Sequence, residues 1–220
     1  MRKIIESLNY YFHTTYRRKM IDDALGRYSK YFSGKILDVG GGRVRGMFKK
    51  KNEKWVTVDI EKKFNPDVVA SVEKLPFKNE SFNSIKATEL FEHVDNFEKG
   101  LSECTRVLKK GGLLIISSPF LYPLHPDPFD FQRLSLQKWS NLAKKNGLKI
   151  LKIEEQGYFF TILGEMIRGL IREMNILPLR YLLYLTFPII DGLTLFDKVN
   201  IVKNSHLKKF IEGYFIVAKK

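Results

Sequence analysis

The chain has 220 residues, of which 44% are hydrophobic and 28% are charged, and it carries a formal net charge of +14 at pH 7. This length and hydrophobic content are sufficient for one α/β domain with a buried core, and they exclude an intrinsically disordered chain. The single cysteine excludes an intrachain disulfide, and residues 1–20 lack the continuous apolar segment of a secretory signal, so we expect a reducing, cytoplasmic setting.

The positive charge is concentrated in the two ends of the chain. Residues 1–54 carry 14 Lys/Arg against 5 Asp/Glu, residues 55–155 carry 15 against 14, and residues 156–220 carry 9 against 5. Basic flanks around a nearly neutral centre favour an anionic partner such as lipid headgroups, a diphosphate or nucleic acid. A solvated lysine-rich surface explains the same charge equally well.

Helices are predicted in four parts of the chain. Apolar residues recur at helical spacing in 3–31, which predicts one or two amphipathic helices before the break at Ser33-Gly34. A further helix is predicted at 95–108, where Gly111-Gly112 supplies the stop signal. The remaining helical predictions are 135–146 and a short helix or loop at 47–52.

Short apolar runs between these helices predict the strands of a sheet. The predicted strands are 35–39, 55–60, 67–70, 81–88, 113–117, 148–153 and 214–218. Four of the five residues in 113–117 are Leu or Ile, which is typical of a parallel strand buried on both faces. Strands that alternate with helices at this spacing predict a doubly wound α/β sheet.

The segment 156–212 lacks this alternation and is rich in Leu, Ile, Phe and Tyr. Its apolar stretch between Arg180 and Asp191 is too short to cross a bilayer, which needs about 20 residues. The segment could therefore form a lid over the active site, a dimer surface or a helix pair at a membrane interface.

The first strand leads into a glycine run that is flanked by acids. Asp38 precedes Gly40, Gly41 and Gly42, and the second strand ends in Asp59. Glycines allow the backbone to turn sharply and to approach a ligand closely, and an acid at the end of the second strand can accept hydrogen bonds from ribose hydroxyls. The pattern predicts a nucleoside site, with capping of strand ends as the alternative role for the acids.

Five motifs together resemble the class I S-adenosylmethionine-dependent methyltransferases, in particular the methyltransferase type 11 group. They cover about residues 34–155 and comprise the glycine loop at 36–42, Val58-Asp59, Leu75-Pro76-Phe77 with Ser81-Phe82, Glu92-His93-Val94, and the segment 106–112. The resemblance implies a Rossmann-like seven-stranded sheet, mostly parallel with an antiparallel last strand, N-terminal helices and a helical insertion before that strand.

The resemblance also implies that residues 1–220 form a single methyltransferase domain with four parts. These parts are an N-terminal helical cap at 1–33, a cofactor-binding core at 34–155, a helical insertion or lid at 156–212 and the last strand at 213–220.

S-adenosyl-L-methionine is the cofactor that the resemblance implies. Gly40 and Gly42 would admit its methionine and ribose portions, and Asp38 would orient the loop and the ammonium group. The complete implied set is Asp38, Gly40, Gly41, Gly42, Asp59, Ile60, Ser71, Val72 and Glu89. The chain departs from the family pattern at Ser71, where an acid is usual, and at Val44, where a third glycine is common.

Two histidines are candidates for catalysis. His93 follows the fourth strand beside the expected methyl position, although Glu92-His93-Val94 also recurs in the family as the start of a helix. His125 lies in a loop after the fifth strand, where ligands of open parallel sheets bind. We predict His125, His93 and Asp127 as catalytic residues, with a rigid proline-rich turn as the structural alternative for the loop.

The loop after the fifth strand is also the predicted acceptor site. Tyr122, His125, Asp130 and Arg133 combine an aromatic ring with polar and charged groups, which suits a polyhydroxylated, partly anionic acceptor. The expected acceptor is a small or lipid-linked molecule, such as a sugar that is methylated on a hydroxyl group in glycan biosynthesis. The protein is also expected to contact the anionic inner face of the membrane.

Three other functions compete with this prediction. The departures at Ser71 and Val44 favour a non-catalytic regulatory protein that binds S-adenosylmethionine. RNA or protein substrates stay open, although Thr88-Glu89-Leu90-Phe91 stands where base-methylating enzymes commonly have Asn/Asp-Pro-Pro-aromatic. A nicotinamide dehydrogenase shares only the strand–glycine–acid pattern.

Cys104 is predicted neither as a nucleophile nor as a metal ligand, and no metal site is predicted.

Overall fold

The computed structural model describes residues 2–41, 53–125 and 128–220. Two compact units are present: Ile21–Glu155 with Gly213–Lys220, called here the sheet unit, and Met1–Met20 with Gln156–Glu212, called the helical unit. The sequence predictions for Gly42, Val44, Asp127 and the segment 47–52 lie outside the described residues.

A seven-stranded sheet has the strand order β3-β2-β1-β4-β5-β7-β6. Its strands are β1 Lys35–Val39, β2 Lys54–Asp59, β3 Val68–Val69, β4 Phe82–Thr88, β5 Leu108–Pro119, β6 Lys149–Gln156 and β7 Gly213–Lys219. The pairs β1–β2, β1–β4, β2–β3 and β4–β5 are parallel, and β7 runs antiparallel to β5. The predicted Rossmann-like sheet with an antiparallel last strand is confirmed.

Eight α-helices are present among the described residues. They are α1 Arg2–His13, α2 Tyr16–Arg27, α3 Phe97–Val107, α4 Leu136–Lys145, α5 Phe159–Arg172, α6 Leu177–Tyr184, α7 Phe187–Leu193 and α8 Asn200–Lys203. The N-caps of α3 and α4 explain where these two helices begin, because the side chains of Asn96 and Ser135 accept hydrogen bonds from the backbone N–H groups of Lys99 and Lys138.

The prediction that Gly111-Gly112 stops a helix is wrong. Helix α3 ends at Val107, Leu108 already has extended backbone angles, and β5 continues through both glycines. Gly111 has φ +76° and donates its N–H to the carbonyl of Lys220 at 2.8 Å. The register between β4 and β5 shifts at this point. The glycine pair therefore allows an irregularity within a strand, where a positive φ is needed.

The core of the sheet unit forms between the sheet and helix α2. Ile21, Ala24 and Leu25 of the helix pack with the buried strand residues Ile36 and Phe215. Strand β1 is buried along Ile36–Val39 because it lies in the middle of the sheet. Since β1, β2 and β4 run parallel, their carboxyl ends lie at the same edge, and the loops that follow them are brought together there.

The helical unit has its own apolar core and a buried polar network. Ile171, Tyr184, Phe187 and Ile190 form the core. The carboxylate of Asp191 accepts hydrogen bonds from the hydroxyls of Tyr11 and Tyr16 and from the guanidinium of Arg168. Burial and these carboxylate contacts raise the pKa of Tyr11 to about 12, so the hydroxyl stays protonated and donates.

Among the described residues, no single helix has both the length and the hydropathy needed to span a membrane. The helix pair Leu177–Tyr184 and Phe187–Lys198 reaches them only when taken together, across a bend of 51°.

Candidate functional site

A cavity of about 410 Å³ opens at the carboxyl edge of the sheet, within the sheet unit. Seven of the predicted site residues line it, namely Gly40, Asp59, Ile60, Ser71, Val72, Glu89 and His93. Pro128, Phe129 and Phe131, from the loop after β5, form another wall. The volume lies in the range of small-molecule sites. Sheet topology thus brings loops that are far apart in sequence to one cavity.

The glycine loop requires glycine at both described positions. Gly40 has φ +71°, and a Cβ placed on it would lie 3.1 Å from the Cδ1 atom of Leu90. A Cβ on Gly41 would lie 2.6 Å from Cγ and 2.8 Å from the carbonyl oxygen of Asp38. Both glycine N–H groups donate to the carbonyl oxygen of Val58. The loop is therefore held against β2, with no room for larger side chains.

Asp38 is buried in an ion pair with Lys86. The Lys86 Nζ atom lies 2.8 Å and 3.0 Å from the two carboxylate oxygens, and the two residues are directly paired on the neighbouring strands β1 and β4. Their side chains are 2% and 7% exposed. A carboxylate in this position requires a cation beside it, because burial of an unpaired charge is costly. The pair places Asp38 behind the glycine loop, where it supports Gly41.

Asp59 stands at the end of β2 on the cavity wall. Its Oδ1 atom accepts a hydrogen bond of 2.8 Å from the backbone N–H of Glu61, which fixes the carboxylate at the strand end. The side chain of Asp67 accepts two hydrogen bonds from Thr57, through the backbone N–H and the hydroxyl. These contacts fasten the segment before β3 to β2. Asp59 is thereby held in place on the cavity wall.

Glu89 occupies the left-handed backbone region with φ +48°, directly after β4. Its N–H donates to the hydroxyl oxygen and carbonyl oxygen of Ser117, and its carboxylate accepts from the Ser117 hydroxyl at 2.8 Å. A non-glycine residue with positive φ is energetically unfavourable and is concentrated at functional sites. The hydrogen bonds to β5 hold this conformation, which turns the chain into the cavity.

Arg106 of α3 holds the Leu75-Pro76-Phe77 motif in place. The guanidinium donates to the carbonyl oxygens of Leu75 and Phe77, at 3.0 Å and 2.8 Å. Glu103 pairs with the same guanidinium and accepts the N–H of Leu75. The segment after Ser71 and Val72 is therefore tied to the core helix. The hydroxyl of Ser71 accepts the N–H of Glu73, so it stabilises the local turn.

His93 and His125 meet beside the cavity. Their ring centroids are 5.0 Å apart and the rings are perpendicular. His93 lies on the cavity wall, and its Nδ1 atom is 2.6 Å from the carbonyl oxygen of Phe129. The Nδ1 atom of His125 is 3.0 Å from the carbonyl oxygen of Pro123. Two histidines that are 32 positions apart in the chain thus form one pair.

The predicted acceptor residues form one cluster around Asp130. Tyr122 packs edge-on against His125 with centroids 5.2 Å apart, and Asp130 accepts the backbone N–H of His125 at 3.0 Å. Arg133 forms two charged hydrogen bonds with the Asp130 carboxylate. These bonds from Arg133 are the main reason that the pKa of Asp130 falls to about 2. Asp130 and Arg133 neutralise each other, which indicates that they shape the loop.

Cys104 is buried in α3, as a structural cysteine would be. Burial raises the pKa of its thiol to about 12, so a reactive thiolate does not form near neutral pH.

Sequence reasoning did not identify several residues that shape the site. Lys86 lies in the mostly buried strand β4, and its pairing with Asp38 has no local sequence signal. Phe129 and Phe131 belong to the predicted acceptor loop, but their place on the cavity wall depends on tertiary structure. Glu92 was noted as part of a motif and is buried beside His93.

Comparison with known proteins places these features in a family context. Residues 37–116 match the family model described as a methyltransferase domain. The uncharacterized protein MJ1123 of Methanocaldococcus jannaschii is 34% identical over 102 residues, which cover 43% of this chain and 48% of that protein. The chain spans about half the length of the curated relatives it matches.

Two solved structures illustrate the similarity of the fold. A SAM dependent methyltransferase from Archaeoglobus fulgidus aligns with a TM-score of 0.57 and 19% identity, covering 98% of this chain and 99% of that one. Coclaurine N-methyltransferase, bound to N-methylheliamine and SAH, aligns with a TM-score of 0.56 and 17% identity, covering 92% of this chain and 70% of that one. At these identities the comparison shows a shared fold.

Proposed function

Since the chain has the fold and domain of a class I S-adenosylmethionine-dependent methyltransferase, we propose that it methylates a hydroxyl oxygen of a small or lipid-linked acceptor, such as a sugar. One observation carries this proposal. The glycine loop and Asp59 line the same cavity as His93, and His93 is paired with His125. A nucleoside-binding end and an end with proton-accepting groups therefore belong to one site.

The residues of the cavity fit the cofactor. A Cβ at Gly40 would crowd the space beside Leu90, so glycine keeps a cradle open for the methionine portion. Asp59 would accept the ribose hydroxyls. Ile60 is 66% exposed on the cavity wall, and together with Ser71 and Val72 it offers an apolar edge with backbone groups for the adenine. Asp38 would act indirectly, because its carboxylate is bound to Lys86.

The acceptor would lie between the histidine pair and the aromatic wall. S-adenosyl-L-methionine supplies an electrophilic methyl group on a positively charged sulfur. Phe129 and Phe131, with ring centroids 5.5 Å apart, would support the apolar face of a sugar and limit the entry of water. Positioning of the two reactants supplies much of the rate enhancement in such an in-line displacement.

His125 is the residue that we propose as the general base. The carbonyl of Pro123 fixes its Nδ1 atom as the donor, so the Nε2 atom of the neutral ring can accept the proton of an acceptor hydroxyl. Asp130 lies 3.5 Å from Nδ1 and is held by Arg133, so it acts as a positioning residue for the imidazole. Asp127 lies outside the described residues, so its predicted catalytic role stays a prediction.

A screen of acceptors with methyl-labelled cofactor tests the proposal. Sugars, sugar nucleotides, lipid-linked sugars and amines would be compared with the same protein preparation. Label on a hydroxyl oxygen, with one SAH formed per methyl group, is the expected result. Label found only on nitrogen, carbon, RNA or protein would contradict the choice of acceptor. Cofactor binding without SAH formation would instead support the regulatory protein, which the hydrogen-bonded turn at Ser71 leaves as an alternative.

The surface of the helical unit supports a lipid-linked acceptor over a freely soluble one. Many large apolar side chains of this unit are exposed, including Leu170, Leu182, Leu185, Ile189 and Ile201, which are 61–81% exposed. The net charge of +14 is complementary to anionic headgroups. The predicted contact with the inner membrane face and the lid function of 156–212 both stay predictions.

Sedimentation with lipid vesicles tests the membrane contact. Binding to anionic vesicles at low salt, with weaker binding to zwitterionic vesicles and at high salt, is expected. Replacement of Leu182 and Leu185 by Glu should abolish binding. The matched control replaces Leu151 and Ile153 of β6, which are also exposed, by Glu and should bind normally. Equal loss in both variants, or no binding by the unmodified protein, would contradict the proposal.

A further inference from the structure

Three potential metal ligands lie together beside the cavity. They are Glu92 and His93, in the 3-10 helix Phe91–His93, and His125 of the loop after β5. One ligand atom of each residue lies within 4.8 Å of the other two. The carboxylate side chain of Glu92 is 1% exposed, whereas the side chains of His93 and His125 are 14% and 35% exposed. The cluster is therefore buried on one side and open on the other.

Both imidazoles are set in the tautomer that makes Nε2 the nitrogen able to bind a metal. The Nδ1 atoms of His93 and His125 each face a backbone carbonyl oxygen, of Phe129 and Pro123 respectively. A carbonyl oxygen only accepts hydrogen bonds, so Nδ1 carries the proton in each neutral ring and Nε2 presents its lone pair. Ligating histidines in metalloproteins show this arrangement, often with a carboxylate nearby, as Asp130 is for His125.

The two chain segments that supply the ligands are fastened to each other. The N–H of Phe131 donates to the carbonyl oxygen of Glu92 at 2.8 Å. The amide of Gln132 donates to the carbonyl oxygens of Phe91 and Val94, at 2.7 Å and 2.8 Å. Such bonds limit how far the ligand atoms can drift apart, so the cluster is largely preorganised.

We propose that Glu92, His93 and His125 bind a divalent transition-metal ion of the zinc type. Two imidazole nitrogens with one carboxylate oxygen form a ligand set used by zinc sites that keep a fourth position open. Adjacent ligands around tetrahedral zinc are about 3.3 Å apart, given bonds of about 2.0 Å. The His93 Nε2 and Glu92 Oε1 atoms are 3.8 Å apart, so a small inward movement completes this edge. Magnesium, which prefers oxygen ligands, fits the set poorly.

The open fourth position gives this ion a role in the same site. A zinc-type ion acidifies a bound water or hydroxyl, whose proton then passes to solvent water. In the metal-bound protein, the ion would activate the acceptor hydroxyl, and His125 would serve as a ligand instead of a free base. This role rests on the proposed function, whereas metal binding itself rests on the three side chains alone.

Metal binding can be measured without any methyl transfer. The full chain would be stripped with a chelator and titrated with Zn²⁺ by calorimetry, and with Co²⁺ by visible absorption. We expect one ion per chain and a tetrahedral Co²⁺ spectrum. The variants His93→Ala, His125→Ala and Glu92→Gln should each weaken binding by about 10–100-fold or more. The matched control His206→Ala, which removes an exposed histidine of the helical unit, should bind like the unmodified protein.

Two outcomes would overturn the proposal. One is that the folded, unmodified protein binds less than one ion; the other is that both His93→Ala and His125→Ala keep full affinity. Circular dichroism would establish that each variant is folded. If Glu92→Gln does not fold, the two histidine variants are sufficient to test the metal site. Titration of His125→Ala with S-adenosyl-L-methionine keeps the two proposals distinguishable. Retained cofactor binding with lost Zn²⁺ binding supports the metal site. Retained binding of both the cofactor and Zn²⁺ contradicts the metal site and leaves the proposed cofactor site intact.

Discussion

The ammonium of Lys86 lies 2.8 Å and 3.0 Å from the two carboxylate oxygens of Asp38, at directly paired positions of β1 and β4. Both side chains are buried, and Asp38 also contacts the position where Gly41 would carry a Cβ. The acid before the glycine loop is therefore neutralised from the neighbouring strand. Its role is to support the loop, and in the proposed function the ligand would contact the glycines and Asp59 instead.

Lys86→Met should lower the free energy of unfolding by about 3–5 kcal/mol, because it leaves the Asp38 carboxylate buried without its cation. The double variant Asp38→Leu with Lys86→Met should recover most of this loss, since neither charge is then buried alone. Urea denaturation of the two single variants and the double variant would measure the coupling. A Lys86→Met protein within about 1 kcal/mol of the unmodified chain would contradict this account.

Gly41→Ala should impair cofactor binding and stability together. The added Cβ would lie 2.8 Å from the backbone carbonyl oxygen of Asp38, which cannot move without disturbing β1. Gly26→Ala is the matched control, because no atom lies within 4 Å of its Cβ position in α2. That control should gain up to about 1 kcal/mol through helix propensity. Equal thermal stability of the two variants would refute the argument.

Asp59→Ala should weaken binding of S-adenosyl-L-methionine by about 10–100-fold, because hydrogen bonds from the ribose hydroxyls to a carboxylate are lost. The fold should be retained, since Asp59 lies on the cavity wall at a strand end. Calorimetric titration would give the affinity. Asp23→Ala, which removes an exposed acid of α2, is the charge-matched control and should bind normally.

Asp130 should make the protein more stable above pH 4 than near pH 2. Hydrogen bonds from Arg133, helped by the N–H of His125, lower its pKa from 3.8 to about 2 in the folded protein. The folded state therefore binds the proton less readily than the unfolded chain, and its advantage of about 2 kcal/mol is lost as the pH falls from 4 to 2. Asp130→Asn should lack this contribution. Identical pH profiles of unfolding for the unmodified protein and Asp130→Asn would contradict this contribution of Asp130.

His125→Ala should lower kcat by about 10²–10⁴-fold with an identified acceptor, the range typical for loss of a general acid–base group or its metal-bound equivalent. Cofactor affinity should change little, because His125 is absent from the described lining of the cavity. Steady-state kinetics together with cofactor titration separate the two effects. His13→Ala replaces another exposed histidine and should leave kcat unchanged. A normal kcat in His125→Ala would exclude its catalytic role.

Local sequence patterns were sufficient to predict the strands and helices of the sheet unit and their order along the chain. The alternation of strands and helices and the motif at Asp38–Gly41 depend on neighbours in the chain, and the observed β1, β2 and β4 agree with the prediction within a residue or two. The interpretation of Gly111-Gly112 failed because a helix stop and a strand irregularity both use a glycine with positive φ. Tertiary pairing with Lys220 decided between them.

The site was only partly predictable, for a physical reason. Residues such as Asp59 and His125 could be selected because they follow strands, where parallel sheets gather their ligands. Partnerships across the sheet have no local signature: Lys86 with Asp38, and His93 with His125, depend on strand order and on the course of a long loop.

Calorimetric titration of the folded chain with S-adenosyl-L-methionine is the decisive test of the proposed cofactor site, to which the cavity, the glycine loop and Asp59 are all assigned. We expect one molecule bound per chain, competition by S-adenosylhomocysteine and about 10–100-fold weaker binding in Asp59→Ala. A chain that is folded by circular dichroism and binds neither compound, or that binds them equally well without Asp59, would contradict this assignment.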